Sequence, residues 1–323
     1  MSSFEAVQQL RSLGYSLQVS ERGQGMSDRK DDNGKKENFV KGFLRKTFNT
    51  LQRWSISLRE GSLDKALIAA TRHGWDLRVS FLISTGANPK AKNNAPLKYA
   101  VEYAHMGVLR VLLKNGVSPN EEDGIALQIA TAHGQRDVAK YLLQQGADIH
   151  AKQDEAIIIA AGMRNTRMME LLIDNNADVN ARGGEPLRVA AINGSEHVVR
   201  QLIRAGADVR ANDDAALYWA CRHGQKNVAE VLIDAGADIG ARHGVMVDVA
   251  AAYGHARVLE FLLKRGAKLE ENGGLALKWA KENNQASCVR IIESHLEERK
   301  KQAAANTNTP VEKSGPVVKA PAP

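Results

Sequence analysis

Asn176-Ala177-Asp178-Val179-Asn180-Ala181-Arg182, followed closely by Pro186-Leu187-Arg188-Val189-Ala190-Ala191-Ile192-Asn193-Gly194, packs three helix boundaries into nineteen residues. Asn176 stands where a helix ends, the run from Pro186 opens a new one, and Gly194 closes that in turn. Working outward in both directions, the same boundary returns every thirty residues, with glycine in the slot of Asn176 at Gly86, Gly116, Gly146, Gly206, Gly236 and Gly266. An alanine and then Asp, Asn or Lys usually follows, as in Gly146-Ala147-Asp148. Self-similarity at a fixed period of roughly 20–50 residues is the mark of a stacked repeat array, whose product is a long surface rather than one enclosed cavity.

Set in register, the repeats give columns. Alanine recurs at Ala70, Ala100, Ala130, Ala160, Ala190, Ala220, Ala250 and Ala280, which makes eight repeats. Three residues before each stands an aliphatic residue, from Leu67 and Leu97 through Ile157 to Val247 and Leu277, and Leu112, Leu142, Leu172, Leu202, Leu232 and Leu262 form a further column. Apolar spacings of three and four within each half-repeat predict two short amphipathic helices. Gly134, Gly194, Gly224 and Gly254 mark the turn between them, where a positive φ costs least at glycine. Each helix pair is too small to bury its apolar face alone, so the pairs must stack.

The residues 176–182 and 186–194 resemble ankyrin repeats, and the resemblance covers about residues 62 to 298 in phase. It implies an all-α, ankyrin-type α-solenoid of about eight helix-turn-helix repeats with an N-terminal capping helix and disordered flanks. The chain departs from that family in two ways. The family period is ~33 residues, and the residues missing here fall between Asp178 and Pro186 and at equivalent places. The Thr-Pro-Leu-His opening of the first helix is also degraded: only Pro96 and Pro186 keep the proline, and Lys98, Gln128, Ile158, Arg188, Tyr218, Asp248 and Lys278 occupy the histidine slot that normally braces the loop. Such loop-trimmed arrays resemble those of large viruses, prophages and intracellular bacteria.

The formal net charge of +7 is carried by the ends. Residues 1–60 and 299–323 each hold +4, and the repeat body 61–298 holds −1. A neutral body is poor material for nucleic-acid binding, which depends on clustered Lys and Arg, so no nucleic-acid partner is expected there. We divide the chain into a short helix and strand segment (1–22), a disordered linker (23–38), a basic amphipathic helix (39–60), the repeat domain (61–298) and a disordered basic Pro- and Ala-rich tail (299–323). In the amphipathic helix Phe39, Phe43, Phe48 and Trp54 lie at helical spacing, with Lys41, Arg45, Lys46 and Arg53 on other faces. It is expected to cap the first repeat; docking on a membrane surface or a partner groove is the alternative.

No run approaches the ~18–20 apolar residues of a membrane span, and the N-terminus lacks a secretory pattern. The cysteines are few and argue for a reducing compartment, hence the cytoplasm, or a host cytoplasm for a translocated protein. Cys221 shares a small column with Ala191 and Ala251, and Cys288 replaces Val138, Val198, Val228 and Val258, so both are expected in the core. Trp219 and Trp279 share the column of Tyr99, Ile129 and Val189 and are expected there too.

No phosphate-binding glycine loop and no nucleophile elbow occurs in the sequence. His73, His133 and His223 share a column and are separated by whole repeats, too far apart for the ~2 Å ligand distances of zinc. No catalytic residue, metal or cofactor is therefore expected, and the chain is expected not to be an enzyme. The resemblance implies that the concave face of the first helices contacts a partner. The positions concerned are Lys98, Glu102, Tyr103, Gln128, His133, Ile158, Met163, Arg188, Ile192, Asn193, Tyr218, Arg222, His223, Asp248 and Tyr253. Ile158, Met163 and Ile192 would give an apolar centre, flanked by residue types that dominate binding hot spots. The expected function is a monomeric, non-enzymatic scaffold that binds another protein, as a host-directed effector or inhibitor. The alternative is a membrane-proximal adaptor held by residues 39–54.

Overall fold

The computed structural model describes residues 63–269 and 274–307, and within them sixteen α-helices make eight pairs. The pairs are α1 (Leu63–Arg72) with α2 (Asp76–Ser84), α3 (Ala91–Glu102) with α4 (Met106–Lys114), and α5 (Glu121–Ala132) with α6 (Arg136–Gln144). Next come α7 (Ala151–Gly162) with α8 (Thr166–Asp174), α9 (Ala181–Ile192) with α10 (Glu196–Arg204), and α11 (Ala211–Arg222) with α12 (Lys226–Asp234). The last two are α13 (Val245–Ala252) with α14 (Ala256–Lys264), and α15 (Leu275–Glu282) with α16 (Ala286–Thr307). The segments 1–22 and 23–38, the expected amphipathic segment 39–60 with Phe39, Phe43, Phe48 and Trp54, and the tail beyond residue 307 lie outside the described residues.

Each first helix packs on its own second helix and on the first helix of the next repeat. The second helices form a parallel row behind, joined through α8–α10, α10–α12 and α14–α16. The columns explain this layering. Ala100, Ala130, Ala160, Ala190, Ala220, Ala250 and Ala280 are fully buried, as are Leu112, Leu142, Leu172, Leu202, Leu232 and Leu262. The alanines let the first helices approach, and the leucines of the second row fill the space between rows. Cys221 and Cys288 are buried within the same continuous core. Burial pushes the Cys221 thiol up to about 12 and the Cys288 thiol upward too.

The thirty-residue boundary closes the first seven second helices in a left-handed residue. At the end of α8, Ala177 N–H donates to the Leu172 carbonyl (3.0 Å) and Asn176 N–H to that of Ile173 (2.9 Å), the paired bonds of a Schellman cap. A Cβ added at Gly86, Gly116 or Gly146 meets no atom within 4 Å. The column therefore demands only a positive φ, and Asn176 supplies it at +66°. The inter-helix turn is different. Gly224 has φ +71°, and a Cβ there would lie 2.6 Å from His255 Nδ1 of the following repeat. The His255 ring is fixed because Nε2 faces the Arg222 carbonyl at 2.8 Å and must donate to it. Gln135 makes the same reach to the Glu102 carbonyl (2.8 Å), as does His105 to that of Arg72 (3.0 Å).

The trimmed loops hold three successive left-handed residues, such as Lys152, Gln153 and Asp154 (φ +50°, +56° and +59°). Left-handed non-glycine backbone costs about 1–2 kcal/mol per residue, so something must hold it. The bond from Asp154 N–H to the His150 carbonyl (3.2 Å) closes the turn, and a side chain then ties it to the next repeat. Asp64, Asp154 and Asp214 accept the backbone N–H of Asn88, Asp178 and Asp238 at 2.8, 2.7 and 2.9 Å. At two loops whose third left-handed residue is glycine, Gly124 and Gly184, an asparagine four residues earlier takes over; at Gly244 the residue four earlier is Gly240. Asn120 and Asn180 accept from Asp148 and Asp208 N–H at 2.6 and 2.7 Å, and donate to the Gly146 and Gly206 carbonyls. The missing histidine brace is thus replaced by a second, alternating one.

Two further features differ from the sequence reading. The final helix continues to Thr307, past residue 299 where the repeat body was expected to give way. The run from Glu297 to Ala305 is built of strong helix formers, and Lys300 Nζ bonds Glu297 at 2.9 Å. The second difference concerns Trp219 and Trp279, which are only half-buried and face the first-helix surface rather than the core.

Candidate interaction face

The first helices present one column of outermost residues: Tyr103, His133, Met163, Asn193, His223 and Tyr253, all exposed. Beside it, Glu102, Ile192 and Arg222 are half-buried, as are Lys98, Arg188 and Tyr218 one turn earlier. Three residues expected on this surface are not there. Gln128, Ile158 and Asp248 are 7%, 8% and 2% exposed. Their slot points along the stack toward the adjacent first helix, so whether its side chain reaches solvent depends on its length and its neighbours. Lys98 and Arg188 are long enough to emerge. Gln128 instead donates to the Asp123 carbonyl of its own loop (2.9 Å) and accepts from Lys152 Nζ (3.5 Å). Ile158 joins the core cluster, which removes the anchor of the expected apolar centre in repeats four and five.

What stands in its place is aromatic and lies further along, in repeats six to eight. The Arg222 guanidinium carbon is 5.0 Å from the Trp219 ring centre and 5.0 Å from that of Tyr253. Arg188 approaches Trp219 at 5.5 Å. His223 stacks on Trp219 with ring centres 5.6 Å apart, and Tyr218 meets Trp219 edge-on at 5.6 Å. Arg242 lies 5.2 Å from the Tyr218 ring while donating to the Asp213 carbonyl (2.8 Å). Arginine stacked on aromatic faces is held in place yet keeps its donor edge available.

The charges on this face are unevenly paired. Arg188 makes a forked contact with Glu185, one arm at 2.7 Å, and this bond holds the Glu185 carboxyl below its ordinary value despite partial burial. Arg182 is bonded to Glu155, and Lys98 to Glu122 at 2.6 Å. Among the described residues no carboxylate lies within ion-pair distance of Arg222. His223 registers the resulting field: burial first, then the charges of Arg222 and His255, hold its pKa below the usual histidine value. Beyond Tyr253 the surface opens into a cavity of ≈ 680 Å³ lined by Tyr218, Val249, Ala252, Tyr253, Trp279, Glu282, Asn283 and Gln285.

Tyr218, Arg222, His223 and Tyr253 lie on the face expected from the sequence, whereas Trp219 and Trp279, expected in the interior, join them there. The slot is half-exposed for nearly every residue that fills it, since Tyr99, Ile129, Ile159 and Val189 are half-buried there too and only Val249 is buried; apolar spacing alone does not separate such a position from the core. Among the described residues no three His, Cys, Asp or Glu side chains converge on a metal-sized site, and no helix is long and apolar enough to cross a membrane.

Family models for ankyrin repeats match residues 157–243 (three copies) and residues 97–143 (many copies). No curated protein matches the chain.

Proposed function

We propose that this chain, whose residues 97–143 and 157–243 match ankyrin repeats, binds one particular protein partner through the surface of its first helices, centred on repeats six to eight. Ankyrin repeats are in general protein–protein interaction modules. The observation that carries the choice of face is the distribution of exposed apolar bulk, and the arginine–aromatic stack places its centre. Of the five large hydrophobic residues exposed among the described residues, Tyr103, Met163 and Tyr253 share a single column, 47%, 55% and 50% exposed. Scattered exposed apolar residues need no explanation, whereas a column aligned over several repeats supports an interface. The Arg188–Trp219–Arg222–Tyr253 stack adds the residue types that dominate hot spots, already ordered, so little entropy is lost on docking. In this reading the chain acts as an effector or inhibitor by occupying its partner.

The test is affinity capture with quantitative mass spectrometry, comparing wild type with a Tyr218→Ala, Arg222→Ala variant whose melting temperature is checked in parallel. The reading expects at least one partner depleted by about tenfold or more in the variant. An unchanged set of captured proteins would reject it.

A further inference from the structure

Arg222, Ala252 and Glu282 occupy the same column in three successive repeats, thirty residues apart each time. With neighbouring first helices ~8–10 Å apart, the two charged positions stand ~16–20 Å from one another. The small residue between them leaves the ≈ 680 Å³ cavity open, with Ala252 on its floor and Tyr218, Tyr253 and Trp279 around it. Pockets of roughly 300–1,000 Å³ are those that take a discrete ligand group. Tyr253 joins the two features, since its ring lines the cavity and stacks on Arg222 at 5.0 Å.

Resting on the first-helix face as the docking surface, we propose that this cavity takes an acidic–aromatic segment of the partner protein. An Asp or Glu carboxylate sits on Arg222 and the adjacent large apolar side chain lies against Tyr218, Tyr253 and Trp279. Charge complementarity fixes both the occupant and its direction. Arg222 is a half-buried cation without a carboxylate neighbour among the described residues, clamped between two rings so that its donor edge is presented rather than spent. A carboxylate there gains a charge-assisted bond in a partly desolvated setting. Arg222 borders the cavity across the Tyr253 ring, whereas Glu282, only distantly paired with Lys278 at 4.0 Å, lines the cavity itself, repels an acid and so sets the acidic residue on the repeat-six side. A nucleic-acid strand is disfavoured for the same reason, because its regular phosphates would meet Glu282.

The experiment selects a random dodecapeptide display library on the full chain, then measures enriched peptides by fluorescence anisotropy on variants with verified wild-type melting temperatures. The expected enriched peptides pair an acidic residue with Trp, Tyr, Phe or Leu. They lose about tenfold or more in affinity on Arg222→Gln and on Ala252→Trp, keep it on Ala252→Ser, and give way to basic peptides when Arg222→Glu is the bait. Enriched peptides that bind Arg222→Gln and Ala252→Trp at wild-type strength overturn the proposal, and so does the failure of any sequence to enrich. If such peptides are instead lost on a Tyr103→Ala, Met163→Ala variant, the first-helix face stands and only this site falls. If they are insensitive to every one of these changes, both readings fall.

Discussion

Asp154 Oδ1 accepts the backbone N–H of Asp178 at 2.7 Å, across the boundary between the fourth and fifth repeats. The carboxylate belongs to a left-handed residue, so one side chain both tolerates the strained turn and locks it to its neighbour. Repeats three and five reach the same amide by another route, through Asn120 and Asn180 with Gly124 and Gly184 in the strained position. The two solutions are alternatives, and that exchangeability is testable.

Asp154→Ala should cost about 1–2 kcal/mol of unfolding free energy, from the lost bonds to the Asp178 amide and the His150 ring and the strain of a left-handed alanine. Asp154→Asn keeps an acceptor and should cost less. Asp154→Gly combined with His150→Asn installs the pattern of the neighbouring repeats and should recover most of the loss, as urea denaturation would show. A double variant no more stable than Asp154→Gly alone would mean that the asparagine route depends on something else in repeats three and five.

Asp214 occupies the equivalent position in repeat six, and burial, outweighing the Asp238 amide bond, raises its carboxyl above the ordinary 3.8. Just above pH 3.8 the native chain keeps a proton that the unfolded chain has released. The contribution of this group to stability therefore falls as pH rises through the window up to its native pKa, and stays reduced beyond it. Asp214→Asn retains the acceptor without titrating. Its stability relative to wild type should increase with pH across that window and then level off; parallel curves would contradict the assignment.

The columns were readable in the sequence because each has a single physical demand. A closely packed helix pair requires alanine at positions such as Ala190, and a left-handed cap requires Gly or Asn, so period and fold followed from composition alone. Positions whose fate depends on two repeats at once were not readable. Gln128 and Arg188 occupy one slot, yet the first folds back on its own loop while the second emerges to meet Trp219. The loop brace was hidden for the same reason, since Asp154 and Asn180 look like unrelated polar residues until their amide partners in the next repeat are known.

The two glycine columns should respond differently to alanine. Gly146→Ala meets open space and costs only the positive-φ penalty of about 1 kcal/mol, and Gly146→Asn should cost less still. Gly224→Ala also drives a methyl group against His255 and threatens its bond to the Arg222 carbonyl, so it should cost more than Gly146→Ala. Thermal or urea unfolding of the three variants checks the ranking, and equal losses would contradict it.

Cys221, fully buried with its thiol pushed up to about 12, should resist iodoacetamide and aromatic disulfide reagents at neutral pH. Cys288, also buried and raised, should behave alike. Both should label at rates set by unfolding and accelerate together in urea. Stoichiometric labelling of the native chain within minutes would show that the sixth and eighth repeats open independently.

The most direct test of the binding face is site-specific photocrosslinking in cell extract. A photoreactive phenylalanine analogue at Tyr253 probes the first-helix surface, and the same group at Glu170, exposed on α8, probes the second-helix row. A discrete adduct with another protein is expected from position 253, abolished by Arg222→Glu, and none from position 170. An adduct formed only from position 170, or one from 253 that survives Arg222→Glu, would contradict the proposed face.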